Sequence, residues 1–149
     1  MSTPFFIRPM QMGDFDTVAD LSAELGYPVN SQQLFDNFGR AQSLHENAFF
    51  VAEATDARTV VGWLHAYGVA PFMAEPYAEI GGLVVAAAAR KLGIGRALMQ
   101  AAEQWASDND YRHVRLRSGN HRPEAHLFYE RIGYHPTRSS TMFKKPVPA

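Results

Sequence analysis

The spacing of apolar side chains changes repeatedly along the chain, and each change predicts a new element. Apolar residues recur every three or four positions in the predicted helices, residues 14–25, 32–43, 94–107 and 123–132. They alternate with polar residues or run together in the predicted strands, residues 5–8, 48–53, 59–69, 79–85, 113–117 and 141–144. The order of these elements predicts an α/β or α+β fold with a mixed sheet.

Glycine and proline residues lie where several elements would begin or end. Gly26 follows the first helix, Pro123 suits the first position of the last helix, and Gly133 suits its C-terminal stop. Two further glycines, Gly81 and Gly82, lie inside a predicted strand, where glycine costs stability. They indicate a β-bulge or a place where another backbone or a ligand approaches closely.

The composition is that of an ordinary globular protein. The 149 residues, 46% of them apolar and 19% charged, predict one domain, residues 1–149, with one core. No stretch approaches the ~20 consecutive apolar residues of a membrane span, and the N-terminus lacks a secretory pattern. Because cysteine is absent, a cysteine nucleophile and thiolate metal sites are excluded. We therefore expect a cytoplasmic protein with no membrane partner.

Charge is divided unevenly along the chain. Residues 1–79 carry 3 Arg and 10 Asp or Glu, a net charge of −7, whereas residues 80–149 carry 11 Lys or Arg and 5 Asp or Glu, a net charge of +6. A cleft between the two halves would suit a cationic partner and a phosphorylated one. Solvated faces that happen to segregate by charge explain the same numbers equally well.

A basic, glycine-containing turn follows the predicted strand at residues 79–85. Arg90, Gly93 and Gly95 form an R-x-x-G-x-G pattern at the start of an amphipathic helix. Backbone N–H groups at a helix start lack partners within the helix, and glycine lets an anion, most often phosphate, approach them. The pattern matches neither the Walker A nor the Rossmann motif, and an ordinary helix start stays the alternative.

A second motif, F-Y-x-x-x-G-Y at residues 128–134, lies in the last predicted helix and its stop. With the R-x-x-G-x-G turn, the I-R-P…D opening at residues 7–14 and the order of elements, it makes nearly the whole chain resemble the GNAT superfamily of acyl-CoA N-acyltransferases. The resemblance implies a mixed, mostly antiparallel sheet of six to seven strands flanked by about four helices. Dimers are frequent in that family, so a homodimer is compatible with the resemblance.

The resemblance also implies acetyl-CoA as the acyl donor. The backbone of residues 83–85 would pair with the pantetheine arm as an added strand, and the amides of residues 91–96 would cradle the pyrophosphate. The residues assigned to acetyl-CoA on this basis are Leu83, Val84, Val85, Arg90, Lys91, Leu92, Gly93, Ile94, Gly95, Arg96, Arg122 and Tyr129.

Three residues depart from the family's usual pattern. Members often have proline at the position of Ala87, glycine at that of Lys91 and asparagine near that of Arg122. Lys91 keeps its backbone N–H and adds positive charge near the phosphates. The change therefore affects the geometry of the turn more than the ligand that we expect there.

Acetyl transfer to an amine requires a base for the ammonium proton, a donor to the oxyanion and an acid for the thiolate. The resemblance implies Glu79 as the base, acting directly or through water, and Tyr129 as the acid. Main-chain N–H groups near the end of the strand at residues 79–85 would serve the oxyanion. A surface glutamate and a packed aromatic ring are the ordinary interpretations of these two residues. His65 and His126 are minor alternatives for the base.

Other clusters predict no further ligand. The six histidines form no H-x-x-x-H pattern or tight cluster, so we expect no metal. The arginines at residues 112–122 have no accompanying stacking platform, so we expect no nucleic-acid partner. Residues 24–28 lie in a region that borders the acceptor site in the family, although an ordinary connection between two helices fits them as well.

The resemblance therefore leads us to expect an N-acetyltransferase that moves an acetyl group from acetyl-CoA to a primary amine by direct attack within a ternary complex. A covalent acyl-enzyme is not expected because no cysteine can carry it. The acceptor would be a small-molecule amine or a peptide amine. A non-catalytic acyl-CoA-binding module, a different acyl donor and a different acceptor nucleophile are the alternatives.

Overall fold

A computed structural model describes residues 4–119 and 122–149. Its strands are β1 (Phe5–Pro9), β2 (Asn47–Ala54), β3 (Val60–Val69), β4 (Tyr77–Val85) and β5 (Val114–Arg115). Its helices are α1 (Phe15–Glu24), α2 (Ser31–Leu44), α3 (Ile94–Asp108) and α4 (Pro123–Arg131). Short 3-10 turns lie at Met12–Asp14 and Ala87–Ala89. The four predicted helices are confirmed, with bounds that move by one residue at most.

The chain divides after Arg117 into two compact units. The first contains β1 to β5 and α1 to α3, and the second, which begins at Ser118, contains α4. One domain over residues 1–149 stays a prediction. Within the described residues, no helix is long and apolar enough to cross a membrane.

The strands of the first unit form one sheet in the order β1-β2-β3-β4-β5. Neighbours are antiparallel except β4 and β5, which run parallel, so the mixed, mostly antiparallel sheet is confirmed. The described residues supply five strands rather than the six to seven expected. Residues 141–144 form no strand, because a strand requires a paired neighbour and here Met142 and Phe143 are 79% and 90% exposed.

Helices cover both faces of the sheet. Side chains alternate between the faces along a strand, so Gly62 and Trp63 of β3 point to opposite sides. A Cβ on Gly62 would lie 3.2 Å from Ile94 and 3.3 Å from Leu98, which places α3 on that face. Trp63 instead packs on a cluster that contains Val18 of α1. The face that carries Trp63 and α1 is called the α1 face below.

Local sequence explains where the helices begin and which side they bury. Asn30 accepts a hydrogen bond from the backbone N–H of Gln33, whose side chain accepts from the N–H of Asn30, so α2 begins with a capping box. Leu98 and Met99 of α3 are fully buried, because apolar residues at helical spacing form one stripe against the sheet. In the second unit, Pro123 opens α4 and Gly133 follows it with a φ of +101°, as predicted.

The I-R-P…D opening has a structural role, which is carried by the contacts of Arg8. Arg8 of β1 donates two hydrogen bonds to the carboxylate of Asp14, at 2.8 and 2.9 Å, and one to Glu53 of β2, at 2.9 Å. This fork lowers the pKa of Asp14 below its ordinary value, and the N–H of Gln11 adds to the effect. The motif therefore fixes β1 to β2 and to the start of α1.

Candidate active site

A β-bulge distorts β4 at the two glycines. His65 of β3 pairs with Gly82 while Ala66 pairs with Ile80, so Gly81 is the extra residue. A Cβ on Gly81 would lie 3.0 Å from Nδ1 of His65, and one on Gly82 would lie 2.6 Å from the ring of Trp63. The predicted bulge is confirmed, and both glycines are needed because aromatic side chains of β3 cross directly over them.

The edge of β4 opens beyond Glu79. The strand pairs with β3 along its length, up to Val85 opposite Gly62. On its other side, the ladder with β5 contains only Ala78 opposite Val114 and Glu79 opposite Arg115. Within the described part of the chain, residues 80–85 therefore have no ladder partner on that side. An extended ligand can pair with such an edge as an added strand.

The turn after β4 presents free backbone groups and positive charge. Gly93 is the N-cap of α3 with a φ of +84°, and among the described residues no side chain caps the helix. Lys91 also has a positive φ, +65°, in the position where relatives often have glycine. Arg90, Lys91 and Arg96 are exposed. The geometry suits an anion at the start of α3.

Glu24 connects the end of α1 to this turn. Its Oε1 accepts a hydrogen bond from the N–H of Ala87 at 3.1 Å. Glu24 therefore borders the segment after β4 and has a structural contact there.

Glu79 lies at the bulge in a largely desolvated position. Only 8% of the residue is exposed, and burial raises the pKa of its carboxyl above the ordinary value. Arg117, whose Nε lies 4.0 Å from Oε2 of Glu79, and Arg115 act in the opposite direction. Glu79 is directly opposite Tyr67 of β3, so the two side chains share the α1 face. Burial, and then Glu79 itself, raises the pKa of the Tyr67 phenol.

A row of rings lines the α1 face beside Glu79. Phe38 of α2 stacks on Phe49 at 4.6 Å, and Phe49 stacks on His65 at 4.3 Å with 3° between the planes. Tyr67 follows at 5.3 Å from His65. The Oδ1 atom of Asn47 in β2 lies 2.8 Å from Nε2 of His65. The sequence-based hypotheses missed Asn47 and Tyr67, although the alternation along β3 already put Tyr67 on the face of His65.

Burial affects two polar groups on the α1 face, His65 and Trp63. Desolvation, and then the nearby His45, lowers the pKa of His65 to about 4, so the ring is neutral at pH 7. Because its pKa is lowered, the ring of His65 is a weak base for an ammonium proton, whereas burial raises the pKa of Glu79 and makes its carboxylate a stronger base than an exposed glutamate. The indole Nε1 of Trp63 is buried and has no hydrogen-bond partner among the described residues.

The second unit contains the remaining predicted site residues. Arg122 precedes α4, and Tyr129 contacts the rings of Phe128 at 5.1 Å and Tyr134 at 6.2 Å. Burial raises the pKa of Tyr129, and Arg122 partly offsets the rise. His126 is a minor alternative for the base. Its Nε2 atom lies 3.0 Å from the carbonyl oxygen of Gly119.

The predicted site residues thus divide between the two units. Most lie on the continuous segment formed by β4, the turn and the start of α3 in the first unit: Glu79, Leu83, Val84, Val85, Arg90, Lys91, Leu92, Gly93, Ile94, Gly95 and Arg96. Arg122 and Tyr129 lie in the second. In the described residues, no group of three or more His, Asp or Glu side chains is arranged to hold a metal ion.

The profile of the acetyltransferase (GNAT) family matches residues 15–134, which include the bulged strand, the turn and α4. The chain belongs to this family. The resemblance based on the two motifs is therefore confirmed. The family is one of acetyltransferases, which supports the expectation of an acyltransferase.

Individual relatives agree with the GNAT assignment. The uncharacterized N-acetyltransferase YhdJ of Bacillus subtilis (strain 168) is 39% identical over 69 residues, which are 46% of this chain and 47% of that protein. The aligned region thus spans about half of that relative. A putative acetyltransferase from Agrobacterium tumefaciens is 25% identical with a TM-score of 0.79, over 94% of this chain and 99% of its own.

Two aminoglycoside acetyltransferases share the GNAT fold with this chain. The aminoglycoside antibiotic 6'-N-acetyltransferase AAC(6')-Ih from Acinetobacter baumannii has a TM-score of 0.81 at 20% identity, over 97% of this chain and 100% of its own. The aminoglycoside N-acetyltransferase AAC(6')-Iy, in complex with CoA, has a TM-score of 0.83 at 16% identity, over 97% of both chains. At these identities the likeness shows the fold alone.

Proposed function

We propose that this GNAT protein transfers an acetyl group from acetyl-CoA to a primary amine, by direct attack of the amine within a ternary complex. The observation that carries the proposal is the buried carboxylate of Glu79 at the bulge of β4, on the strand that leads into the uncapped, basic start of α3. The transfer needs a base and an anion site, and one continuous segment supplies both.

Two features of the first unit support acetyl-CoA as the donor. The open edge of β4 offers the backbone of residues 83–85 to the pantetheine arm. The start of α3 offers the amides of residues 91–96 and the positive charges of Arg90, Lys91 and Arg96 to the phosphates. AAC(6')-Iy, which has the same fold, binds CoA.

Glu79 removes a proton from the acceptor ammonium, directly or through water. Its raised pKa makes the carboxylate a stronger base than an exposed glutamate. The amine nitrogen then forms a bond to the acetyl carbon while the bond from that carbon to the CoA sulfur breaks. Main-chain N–H groups near Val84 or Val85 stabilise the oxyanion that forms between these steps.

Tyr129 donates a proton to the departing thiolate. The role is carried over from the family motif at residues 128–134. Because burial raises its pKa, the phenol keeps its proton at neutral pH and can donate it. Arg122 is assigned to the cofactor on the same family basis. The ammonium loses two protons in becoming an amide: the first, taken by Glu79, passes to solvent, and the second, lost from the nitrogen after attack, replaces the proton that Tyr129 gives to the sulfur, so the protons balance over the reaction.

Two measurements test this function. A thermal melt with CoA, acetyl-CoA and free adenosine tests the donor site, because a ligand selective for the native state raises Tm. We expect a rise with CoA and acetyl-CoA and far less with adenosine. A panel of small-molecule and peptide amines, assayed for CoA release and acetylated product, tests the transfer. Neither a shift nor turnover would contradict the proposal.

The same two measurements distinguish the acetyltransferase from a protein that only binds acyl-CoA. A non-catalytic acyl-CoA-binding module would show the shift in Tm with CoA yet release no CoA with any amine. The buried base at Glu79 favours catalysis, since carboxyl groups whose pKa values are raised by burial cluster at catalytic sites.

A further inference from the structure

Asn47 fixes which nitrogen of His65 carries the proton. The Nδ2 group of Asn47 donates to the carbonyl oxygens of Ala41 and His45, at 2.9 and 2.8 Å, so the amide oxygen faces His65. That oxygen lies 2.8 Å from Nε2 of His65, and an acceptor there requires a proton on Nε2. In the neutral ring, Nδ1 is therefore an acceptor with a free lone pair.

The ring of His65 also has a fixed orientation. It is stacked on Phe49, which is itself stacked on Phe38, and Tyr67 lies on the strand beside it. Nδ1 consequently faces the bulge of β4, 3.0 Å from the point that a Cβ on Gly81 would occupy. The absence of a side chain at Gly81 keeps this nitrogen accessible to a small group at the bulge.

Glu79 borders the bulge from the same side of the sheet. Gly82 is opposite His65 and Glu79 is opposite Tyr67, and all of these residues lie on the α1 face. Of the titratable groups on this side, His45 after α2 acts on the pKa of His65, Tyr67 lies 5.3 Å from its ring, and Glu79 lies opposite Tyr67. Because burial lowers its pKa to about 4, His65 stays uncharged at neutral pH and accepts hydrogen bonds through Nδ1.

We propose that His65 positions the acceptor amine for attack, by accepting through Nδ1 a hydrogen bond from an N–H that the amine keeps. The inference rests on the proposed acetyl transfer. A primary ammonium has three N–H groups: Glu79 takes one proton, Nδ1 of His65 holds a second N–H that the product keeps, and the freed lone pair attacks the acetyl carbon, after which the third proton leaves the nitrogen. A hydroxyl has one proton and would leave one acceptor unpaired, which favours amines over alcohols.

Two substitutions of His65 separate hydrogen bonding from packing. H65F keeps the stacked ring and the neutral charge but has no lone pair, so we expect kcat/KM for the amine to fall about 10- to 100-fold. H65Q retains an acceptor and should recover part of the loss. His135→Phe, a histidine exposed in the second unit, is the matched control and should leave kcat/KM unchanged.

A third variant, N47D, tests the pH profile of kcat/KM, which a purely structural role of His65 would leave unchanged. In N47D, a carboxylate would face Nε2 and stabilise the charged imidazolium, so the pKa of His65 should rise. Nδ1 would then stay protonated up to a higher pH than in the wild type, so the acid limb of the pH profile of kcat/KM should move to higher pH. Long-range ¹H–¹⁵N NMR of the folded wild-type protein should show the proton on Nε2, independently of activity.

The outcomes distinguish this inference from the proposed function. A wild-type protein that acetylates no amine overturns both. An active wild type with equally active H65F, or with the proton of His65 on Nδ1, overturns the role of His65 alone. Loss of activity in H65F with recovery in H65Q, together with the shifted limb in N47D, supports it.

Discussion

Arg117 Nε lies 4.0 Å from the Oε2 oxygen of Glu79, although the Arg117 side chain is 75% exposed and that of Glu79 only 11%. The guanidinium reaches a buried carboxylate from the solvent side and favours its charged form, against the effect of burial. Burial is the larger influence, so the pKa of Glu79 stays above its ordinary value. The pair therefore sets how strong a base Glu79 can be.

Replacing Arg117 should move the pH dependence of catalysis. In Arg117→Gln, the pKa of Glu79 should rise further, so the acid limb of kcat/KM should shift to higher pH. Arg40→Gln removes an exposed charge from α2 and should leave the limb in place. A limb that stays at the same pH in both variants would show that Glu79 does not control it.

The charge of Glu79 should also cost folding stability. Since its pKa is raised above 4.5 in the folded protein, the folded state binds the proton more tightly than the unfolded chain, and stability falls as pH rises from about 4.5 through the raised pKa. Glu79→Gln carries no charge, so its Tm should exceed that of the wild type at pH 7.5. The difference should close at pH 4; an equal difference at both pH values would contradict the raised pKa.

Lys91 adopts a left-handed conformation, with φ of +65°, that glycine adopts without strain. Lys91→Gly should therefore raise the free energy of unfolding by about 1 kcal/mol, after the greater freedom of glycine in the unfolded chain is subtracted. CoA affinity should fall modestly and depend less on salt, because one positive charge is lost. Lys91→Arg keeps both charge and strain, so its melting curve should match the wild type.

A side chain at Gly82 should disturb the bulge, because its Cβ would lie 2.6 Å from the ring of Trp63. We expect Gly82→Ala to lose about 1–3 kcal/mol of stability. Gly39→Ala is the control of opposite sign: it lies within α2, has nothing within 4 Å of the new Cβ, and should gain about 0.5–1 kcal/mol. Chemical denaturation measures the free energy of unfolding of both variants. A Gly82→Ala variant as stable as the wild type would contradict the close approach of Trp63.

Much of the fold follows from local signals in the sequence. Periodicity and the Gly and Pro positions predicted all four helices, and Gly81 and Gly82 predicted the bulge. The strand at residues 141–144 was wrong, because apolar alternation gives a segment's preference and not whether a partner strand is available. Lys91 stands where the family pattern usually has glycine. Its positive φ is a conformation that favours glycine.

The acceptor side of the site was harder to predict. Asn47 and His65 are 18 residues apart in the chain and meet only because β2 and β3 pair in one register. The stack of Phe38 on Phe49 likewise joins a helix to a strand. Contacts of this kind depend on which strands pair and in which register, and local periodicity does not show which elements become neighbours.

The most direct test of the account is the pH dependence of acetyl transfer by the wild type and Glu79→Gln, measured as CoA released and acetylated amine formed, with CoA affinity checked by thermal melt. Glutamine keeps the size of the side chain but cannot take a proton. We predict stoichiometric CoA and product from the wild type, a large loss of kcat in Glu79→Gln at pH 7, and a smaller loss at high pH, where the amine arrives deprotonated, with unchanged CoA affinity. Wild-type turnover that Glu79→Gln matches at every pH would contradict the role of Glu79 as the base.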